Sequence, residues 1–272
     1  MTAYYNDIDP FCCAVLRRHI ESGELPPGVV AERDIRTVDA EELMGHEQIH
    51  LFAGIGGFPF GLRMAGWPDG KPILTAGFPC QPVSVAGKRL GQEDERWLWP
   101  EVARVVRVVR PRLVLLENVP GLLVRGMGDV LGDLAAMGYD AEWQSIPAAA
   151  VGAPHIRERV FVVAHPDSYG GGCERGAERH REKIQGPSER NPSWHDADGL
   201  RATVPHPHFF TAERAAKSRS ERSPWPAEPD VGRVAHGVPH RVDRLRALGN
   251  AVVPQVVAFV ARMILEAEEV SA

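Results

Sequence analysis

Short apolar segments alternate with amphipathic helical patterns over residues 46–164, and this alternation is the feature that most limits the fold. Helical patterns, with apolar residues three and four apart, cover Trp97–Val109 and Met127–Met137. Strand candidates are Gln48–Phe52, Pro72–Ala76, Leu113–Leu116, Ala141–Ile146 and Arg159–Ala164. Because parallel strands need long crossover connections, usually helices, the pattern predicts an α/β fold with a mostly parallel sheet and helices on both faces.

The N-terminal residues predict one further strand–helix–strand unit of the same sheet. Its strands are expected at Ala3–Ile8 and Val29–Ile35, with a helix at Pro10–His19 between them. With 272 residues, of which 44% are apolar and 25% charged, the chain is long enough to bury a substantial core.

The composition changes after Ala164. From His165 to about Val242 the chain is rich in Gly, Pro, Ser, Arg and His, and this segment holds most of the 11 histidines. Because such a segment cannot bury much core by itself, we expect a loop-rich insertion at 165–243. It would separate a first domain at 1–164 from a C-terminal return to that domain at 244–272. A clear helical pattern resumes only at Val252–Ala267.

The sequence favours a cytoplasmic protein without membrane segments. No run approaches the roughly 18 apolar residues that a bilayer span requires, and the N-terminus lacks the basic and apolar regions of an export signal. The four cysteines, two of them adjacent, make a poor disulfide framework. The net charge of −5 argues weakly against a nucleic-acid partner, although the charge of one face is what decides such binding.

A cysteine and a carboxyl group follow two of the strand candidates. Cys80 comes shortly after Pro72–Ala76, and Glu117 comes directly after Leu113–Leu116. Because buried strands expose their last side chains at the carboxyl edge of such a sheet, where ligands bind, the two groups are expected side by side. That pair suggests covalent attack coupled to proton donation. The alternative for Cys80 is a small buried apolar role, which its place between two prolines disfavours.

A glycine-rich turn follows the strand candidate Gln48–Phe52. The run from Phe52 to Gly57 precedes a helical pattern at Phe58–Ala65. Glycines at such a turn let a ligand approach the backbone and the helix N-terminus. The run differs from the spaced G-x-G-x-x-G dinucleotide fingerprint, and glycine-rich turns also arise for packing reasons, so by itself this signal is weak.

Five motifs, in order, resemble those of the cytosine-5 DNA methyltransferases. They are Phe52–Gly57, Pro79-Cys80-Gln81, Glu117-Asn118-Val119, Gly152–Arg159 and Gly249–Pro254, and the resemblance runs through residues 46–164 and 231–265. It implies the Rossmann-like sheet of S-adenosylmethionine-dependent methyltransferases. It also implies methyl transfer to carbon 5 of a cytosine flipped out of double-stranded DNA, with the insertion reading base edges.

The resemblance assigns the chemistry to particular side chains. Cys80 would attack carbon 6 of the cytosine, Glu117 would protonate or hydrogen-bond N3, and Arg159 would hold O2. A carboxyl group that stays protonated near neutral pH needs a raised pKa, which a dry pocket provides. Supporting roles fall to Arg157, Pro79 and Asn118. Arg157 lies two residues before Arg159 at the entry to a strand candidate, so strand alternation predicts their side chains on one face. Family members usually have glutamine where this chain has His155, a departure that leaves the arginine assignment intact.

The resemblance also places the methyl donor, S-adenosylmethionine, at the glycine turn and beside the last motif. The positions expected to line it are Phe52, Gly54, Ile55, Gly56, Gly57, Leu98, Asn250, Ala251 and Val252. The ribose-binding acid is absent from its usual place, because only residues 67–71 separate the helix after the glycine turn from the strand before Cys80.

The N-terminal unit resembles the missing piece. Asn6-Asp7-Ile8-Asp9 resembles the ribose-acid strand end, so we predict a transposed unit that comes first in the chain yet takes its usual edge of the sheet. Asp7 would bind the ribose hydroxyls, Ile8 would pack against adenine, and Asp34 would meet the adenine amino group. An ordinary N-terminal strand–helix addition is the alternative.

Contacts to DNA are expected from the loop after Cys80 and from the end of the insertion, at Ser84, Lys88, Arg89, Arg233 and Gly237. Simple solvation explains the charged members of this set equally well. Cys173, His206 and His208 are of zinc-ligand types, but no CxxC or HxxxH pair accompanies them, so we expect no metal.

Other functions remain open on the sequence alone. A catalytically silent DNA-binding relative is one, against which intact Cys80, Glu117 and Arg159 argue. A nicotinamide or flavin oxidoreductase on a similar sheet would leave the Cys80 and Glu117 motifs unexplained. A third alternative is an RNA cytosine methyltransferase. A cognate restriction endonuclease would be a further partner of a DNA-modifying enzyme.

Overall fold

The computed structural model describes residues 3–79, 97–166 and 241–271. Seven strands form one sheet: β1 (Ala3–Asp7), β2 (Gly28–Glu32), β3 (Gln48–Leu51), β4 (Ile73–Ala76), β5 (Val114–Asn118), β6 (Tyr139–Pro147) and β7 (Glu158–Pro166). The helices are α1 (Pro10–Glu21), α2 (Gly57–Met64), α3 (Trp99–Val109), α4 (Leu122–Arg125), α5 (Met127–Ala136), α6 (Arg241–Asn250) and α7 (Pro254–Ser271). Short 3-10 helices occupy Ile35–Thr37, Ala40–Leu43 and Ala148–Val151.

The sheet is mixed but mainly parallel, with the strand order β2-β1-β3-β4-β5-β7-β6. Strands β1 to β5 pair in parallel, and β7 lies antiparallel between β5 and β6. The predicted α/β fold with a mostly parallel sheet is therefore confirmed. The predicted strands are found within a few residues of their expected bounds, with β6 and β7 longer at both ends than the apolar pattern indicated.

The N-terminal unit takes the place in the sheet that its transposition predicts. Strand β1 pairs with the edge strand β2 on one side and with β3, the strand before the glycine turn, on the other. Helix α1 begins where Asp9 accepts a hydrogen bond from the backbone of Phe11. Strand β2 ends at Glu32, earlier than predicted, because Asp34 caps a 3-10 turn that begins at Ile35.

Helices cover both faces of the central strands. On one face Leu74 and Leu116 lie in a core cluster with residues of α3 and α5. On the other face Ile73 and Leu115 lie in a cluster with residues of α2 and α7. Consecutive strand residues thus alternate between two cores, as expected for strands buried on both sides.

Helix α6 lies before Val252, where the sequence predicted that a clear helical pattern would resume. Its apolar residues Val242, Leu245 and Leu248 are 77%, 58% and 62% exposed in a helix of which four of the ten residues are charged. They therefore form no buried stripe of the kind that reveals a helix in a sequence. Residues 251–253 are not helical, and α7 begins at Pro254.

The stretch Val242–Glu269 is long and apolar enough to cross a membrane by length and composition. Its α7 residues Val256, Val257 and Val260, however, are buried in the protein core against α2. A core helix passes the same test of length and composition, so this stretch is weak support for a membrane span.

Close packing of α2 on α7 makes Gly61 a sensitive position. A Cβ atom there would lie 2.4 Å from Val257 Cβ and 2.6 Å from the carbonyl oxygen of Pro254. We expect Gly61→Ala to lower the free energy of unfolding by about 1–3 kcal/mol, because the two helices must move apart. Urea denaturation followed by circular dichroism measures this change.

Gly132→Ala is the matched control, since Gly132 lies inside helix α5 and a Cβ there would have no neighbour within 4 Å. This substitution should be neutral or stabilising by about 0.5–1 kcal/mol. Equal changes in the free energy of unfolding for both variants would contradict the packing argument.

Candidate active site

The register of the parallel strands brings the predicted site residues to one edge of the sheet. Asn6 lies opposite Leu51, Leu51 opposite Ala76, and Ala76 opposite Leu116. The next residue along each segment is Asp7, Phe52, Gly77 and Glu117. The ribose-acid candidate, the glycine turn, the segment leading to Cys80 and the candidate acid therefore share the carboxyl edge of the sheet, where ligands bind in such folds.

Glu117 lies near the end of β5 and is only 9% exposed. Its Oε1 atom is 3.0 Å from Nε of Arg159 at the start of β7. Its Oε2 atom lies 3.5 Å from the point that a Cβ on Gly77 would occupy. Glu117 is thus held by an arginine on one side and faces the segment that leads to Cys80 on the other.

Burial raises the pKa of Glu117 to about 7, although the charges of Arg159 and Arg157 and the Arg159 hydrogen bond act to lower it. The cost of removing the carboxylate from water therefore outweighs its attraction to the two guanidinium groups. Near neutral pH the carboxyl group exists in both protonation states. A group with such a pKa can donate a proton to a ring nitrogen.

Asn118 ties the end of β5 to the segment before Cys80. Its Nδ2 donates to the carbonyl oxygen of Phe78 at 3.2 Å, and its Oδ1 accepts from the backbone nitrogen of Val119 at 2.9 Å. The Phe78 ring packs edge-on against Trp97 at 5.7 Å between ring centroids. Asn118 therefore fixes the backbone immediately before the predicted nucleophile.

Pro79, which is partly exposed, is the last residue that the structure describes before Cys80. Cys80 itself lies outside the described residues, so its attack on the base and its closeness to Glu117 stay predictions. The predicted DNA-contacting residues Ser84, Lys88, Arg89, Arg233 and Gly237 lie outside them as well.

The glycine turn has a backbone that few other residues adopt. Gly54 and Gly56 have φ angles of 54° and 89°, and Phe52 has 53°. A Cβ on Gly54 would meet nothing within 4 Å, which leaves open space beside the backbone. Ile55 is partly buried next to it. A turn of this shape lets a ligand approach the main chain.

The turn before α7 packs directly on the N-terminus of α2. A Cβ on Gly57 would lie 2.7 Å from both Cγ1 and the carbonyl oxygen of Val252. Only glycine allows this approach. Asn250 is exposed at the end of α6, and Ala251 is partly buried between the two helices. The structure thus brings the first and last motifs together.

Asp7 is hydrogen-bonded to the glycine turn. Its Oδ2 accepts from the backbone nitrogen of Gly54 at 2.7 Å, and its Oδ1 accepts from that of Asp9 at 2.9 Å. Burial raises the pKa of Asp7, while these backbone hydrogen bonds oppose the rise. The neighbouring Ile8 side chain is 65% exposed, which leaves an apolar surface next to the acid.

Asp34 and Leu98, which were predicted to contact the methyl donor, both contact other residues of the protein. Asp34 accepts from the backbone nitrogen of Arg36 at 2.9 Å and pairs with the Arg36 guanidinium at 3.2 Å. Leu98 directly precedes α3 and packs against the core. Their contacts with a donor stay predictions.

Arg157 makes a contact that strand alternation does not anticipate. It precedes β7 with a φ of 32°, so the alternation that would place it on the same face as Arg159 does not apply there. Its Nη2 donates to the carbonyl oxygens of Gly249 at 2.8 Å and Ala251 at 2.7 Å. Arg159 instead contacts Glu117.

Three residues near the site were given no individual role in the sequence analysis. Asn6, buried in β1, donates to the carbonyl oxygens of Ala31 and Arg33 and so holds the end of β2. Phe58 lies 3.6 Å from the point that a Cβ on Gly77 would occupy. Gly61 permits the contact of α2 with α7, and its spacing of four from Gly57 was the available signal.

Comparison with known proteins supports one of the functions that the sequence leaves open. Residues 68–196, a range that includes the Cys80 and Glu117 motifs, match the family of C-5 cytosine-specific DNA methylases. The type II methyltransferase M.NgoMIV of Neisseria gonorrhoeae is 39% identical over 167 residues, which cover 60% of this chain. The type II methyltransferase M.NaeI of Lentzea aerocolonigenes is 42% identical over 99 residues, 35% of this chain.

These matches support the resemblance of the chain to the cytosine-5 DNA methyltransferases. The seven-stranded sheet agrees with the Rossmann-like fold of the S-adenosylmethionine-dependent methyltransferases that this resemblance implies. The chain spans less than half the length of these curated relatives, 44% of M.NgoMIV and 24% of M.NaeI. The crystal structure of the S. pombe Dnmt2 methyltransferase is 16% identical and matches over 96% of this chain and 90% of its own, with a TM-score of 0.48.

Among the residues that the structure describes, no group of three or more His, Cys, Asp or Glu side chains could hold a metal ion. The zinc-ligand types considered from the sequence, Cys173, His206 and His208, lie outside those residues.

Proposed function

We propose that this chain transfers a methyl group from S-adenosylmethionine to carbon 5 of cytosine in double-stranded DNA. The observation that supports this most is the buried Glu117 at the carboxyl edge of the sheet. Its pKa is raised to about 7, Arg159 holds one carboxyl oxygen, and the segment leading to Cys80 runs past the other.

The residues at the glycine turn fit the methyl donor. The open space beside Gly54 accommodates a ligand close to the main chain, and the carboxylate of Asp7 and the exposed side chain of Ile8 border the same turn. These groups suit a ribose hydroxyl pair and an aromatic base, respectively. When bound, S-adenosylmethionine supplies an electrophilic methyl group. Phe52, Gly57 and Val252 would form the remaining walls.

The protein's part in the reaction follows from the properties of cytosine. Carbon 5 is a poor nucleophile until the Cys80 sulfur bonds to carbon 6, which turns the ring into an enamine. Proton donation from Glu117 to N3 offsets the developing negative charge, and Arg159 would hold O2. Carbon 5 then forms its bond to the methyl group as the bond between that methyl group and the donor sulfur breaks, which leaves S-adenosylhomocysteine. Loss of the carbon 5 proton to a solvent base and return of the N3 proton to Glu117 restore the double bond between carbons 5 and 6 and expel the Cys80 thiolate.

The DNA side of the proposal rests on the family resemblance. The target base would be flipped into the pocket, since its reacting atoms are inaccessible inside the duplex. Residues 165–243 would read base edges, and Ser84, Lys88, Arg89, Arg233 and Gly237 would contact the DNA. The matched relatives are named type II methyltransferases, so a cognate restriction endonuclease is the proposed partner and the cytoplasmic nucleoid the proposed location.

Mapping of 5-methylcytosine tests the function directly. The chain is expressed in a bacterial host without cytosine methylation, and its genomic DNA is sequenced after bisulfite treatment. We expect protected cytosines in one short sequence context. DNA binding without protected cytosines would favour a catalytically silent relative, and methylation that RNA but not duplex DNA competes away would favour an RNA substrate.

Asp7→Ala should weaken the donor site selectively. The substitution removes the acceptor of the Gly54 amide hydrogen bond as well as the expected ribose contact. We expect the Michaelis constant for S-adenosylmethionine to rise by about 10- to 100-fold, as for the loss of hydrogen bonds to a charged group. The constant for DNA should change little. Steady-state kinetics with each substrate varied in turn measures both.

Asp9→Ala is the control for that substitution. Asp9 caps α1 and pairs with Arg246 at 3.1 Å, but only its backbone nitrogen contacts Asp7. Its loss should lower the free energy of unfolding by about 1 kcal/mol without a selective effect on the donor. If the Michaelis constant for S-adenosylmethionine is unchanged in Asp7→Ala, Asp7 does not belong to the donor site.

A further inference from the structure

One nitrogen of Arg157 joins two parts of the chain that lie far apart in sequence. Its Nη2 donates to the carbonyl oxygens of Gly249 and Ala251, which lie 92 and 94 residues further along, at 2.8 Å and 2.7 Å. Gly249 lies in the last turn of α6, and Ala251 lies in the turn between α6 and α7. Carbonyls at the end of a helix have no partner within the helix. The guanidinium therefore supplies the donor that fixes this turn.

The backbone around Arg157 is held in a costly shape. Its φ of 32° is unfavourable for a side chain with a Cβ atom. The backbone nitrogen of Ala148 donates to the carbonyl oxygens of Ile156 at 2.7 Å and Arg157 at 3.3 Å, which pins the segment before β7. Such a conformation persists only where its surroundings enforce it, and it occurs often at functional sites.

The turn that Arg157 holds is itself packed on the glycine turn. Val252 packs so closely on Gly57 that a Cβ atom on Gly57 would lie 2.7 Å from both Cγ1 and the carbonyl oxygen of Val252. The positions of Ala251 and Val252 relative to the N-terminus of α2 therefore depend on the two hydrogen bonds from Arg157. A contiguous series of contacts runs from the start of β7 to the proposed donor site.

We propose that Arg157 is a positioning residue for the methyl donor, and that it sets donor affinity by clamping the α6–α7 turn against the glycine turn. This inference rests on the proposed function, since it names a determinant of the same site. Arg159, two residues further on, contacts Glu117 and serves the base. Arg157 thus acts on the methyl donor, and Arg159 acts on the cytosine.

Two substitutions of the same chemical kind separate these roles. Arg157→Met removes the clamp, and Arg159→Met, the matched control, removes the contact with Glu117. Binding of S-adenosylhomocysteine, the demethylated donor, is measured by isothermal titration calorimetry without DNA. We expect Arg157→Met to raise its dissociation constant by about tenfold or more, and Arg159→Met by less than about twofold. In steady-state assays Arg157→Met should mainly raise the donor Michaelis constant, whereas Arg159→Met should mainly lower turnover.

Hydrogen exchange provides a readout that does not depend on catalysis. In Arg157→Met the amides of residues 249–253 should exchange faster, while those of β5 and β7 keep their protection. Arg157→Lys, which keeps a charged donor, should restore part of both the slow exchange and the affinity.

Three results would overturn the inference. They are donor binding by Arg157→Met within about twofold of wild type, an equal loss of binding in both methionine variants, and a general increase in exchange across the sheet. A wild-type chain that fails to bind S-adenosylhomocysteine would instead overturn the proposed function, and this inference with it.

Discussion

Cys80→Ala is expected to abolish methylation, with a loss of activity of at least about four orders of magnitude. Without a sulfur atom to add to carbon 6, the cytosine ring never becomes nucleophilic at carbon 5, and no other group replaces that step. Bisulfite sequencing of DNA from cells expressing the variant should show no protected cytosines. DNA that carries 5-fluorocytosine at the target position should become covalently attached to the wild-type chain but not to the variant.

Cys12→Ala serves as the control for a lost thiol. Cys12 is buried in α1, and burial raises the pKa of its thiol to about 12, so it carries no thiolate for attack near neutral pH. Its loss should leave both methylation and covalent trapping intact. Methylation by Cys80→Ala, or trapping that requires Cys12, would refute the assignment of the nucleophile.

Glu117→Gln is expected to lower turnover by about 10²- to 10⁴-fold, the usual contribution of a positioned proton donor. Glutamine keeps the size of the side chain but cannot release a proton to N3. In the wild type, activity that depends on the protonated carboxyl group should fall as the pH rises through about 7, the pKa that burial gives Glu117. The pH–rate profile of turnover should lose this step in the variant.

The same substitution should change the pH dependence of stability. Because the pKa of Glu117 is raised on folding from its ordinary value of 4.5 to about 7, its favourable contribution is complete below pH 4.5 and is lost as the pH rises through about 7. Glu117→Gln removes this loss, so the stability of the variant relative to wild type should increase from about pH 4.5 to about pH 7 and stay constant above that. Urea denaturation over this range measures the difference.

Glu158→Gln is the control for both measurements. Glu158 is exposed, and its side chain accepts a hydrogen bond from Ser145 at 2.7 Å rather than contacting Arg159. We expect neither the rate nor the pH dependence of stability to change in this variant. A Glu117→Gln variant with wild-type turnover across the pH range would mean that another group protonates the base.

Much of the fold was predictable because buried strands and helix faces consist mainly of apolar residues, which form recognisable patterns in the sequence. The strands β3, β4 and β5 are buried on both faces and read as short apolar runs. The position of the N-terminal unit in the sheet was also predictable, because the local pattern around Asp7 indicates the end of a strand wherever that strand occurs in the chain. Helix α6 was not predicted because its apolar residues are exposed and form no buried stripe that a sequence pattern would reveal.

The parts of the site that sequence reasoning missed depend on contacts through space. The hydrogen bonds from Arg157 reach residues more than 90 positions away, and no local pattern announces them. Strand alternation failed at Arg157 because the rule assumes an extended backbone, which a φ of 32° does not have. The close approach of Val252 to Gly57 could be suspected from glycine spacing but not located.

The contact between Gly57 and Val252 has a consequence for the order of events during synthesis. One wall of the proposed donor site comes from the first 57 residues, and the opposite wall is made almost 200 residues later. In a nascent chain on the ribosome the donor cleft would therefore stay open until α7 has been made and has docked on α2. A product that ended before α7 would lack this wall and would not bind the donor.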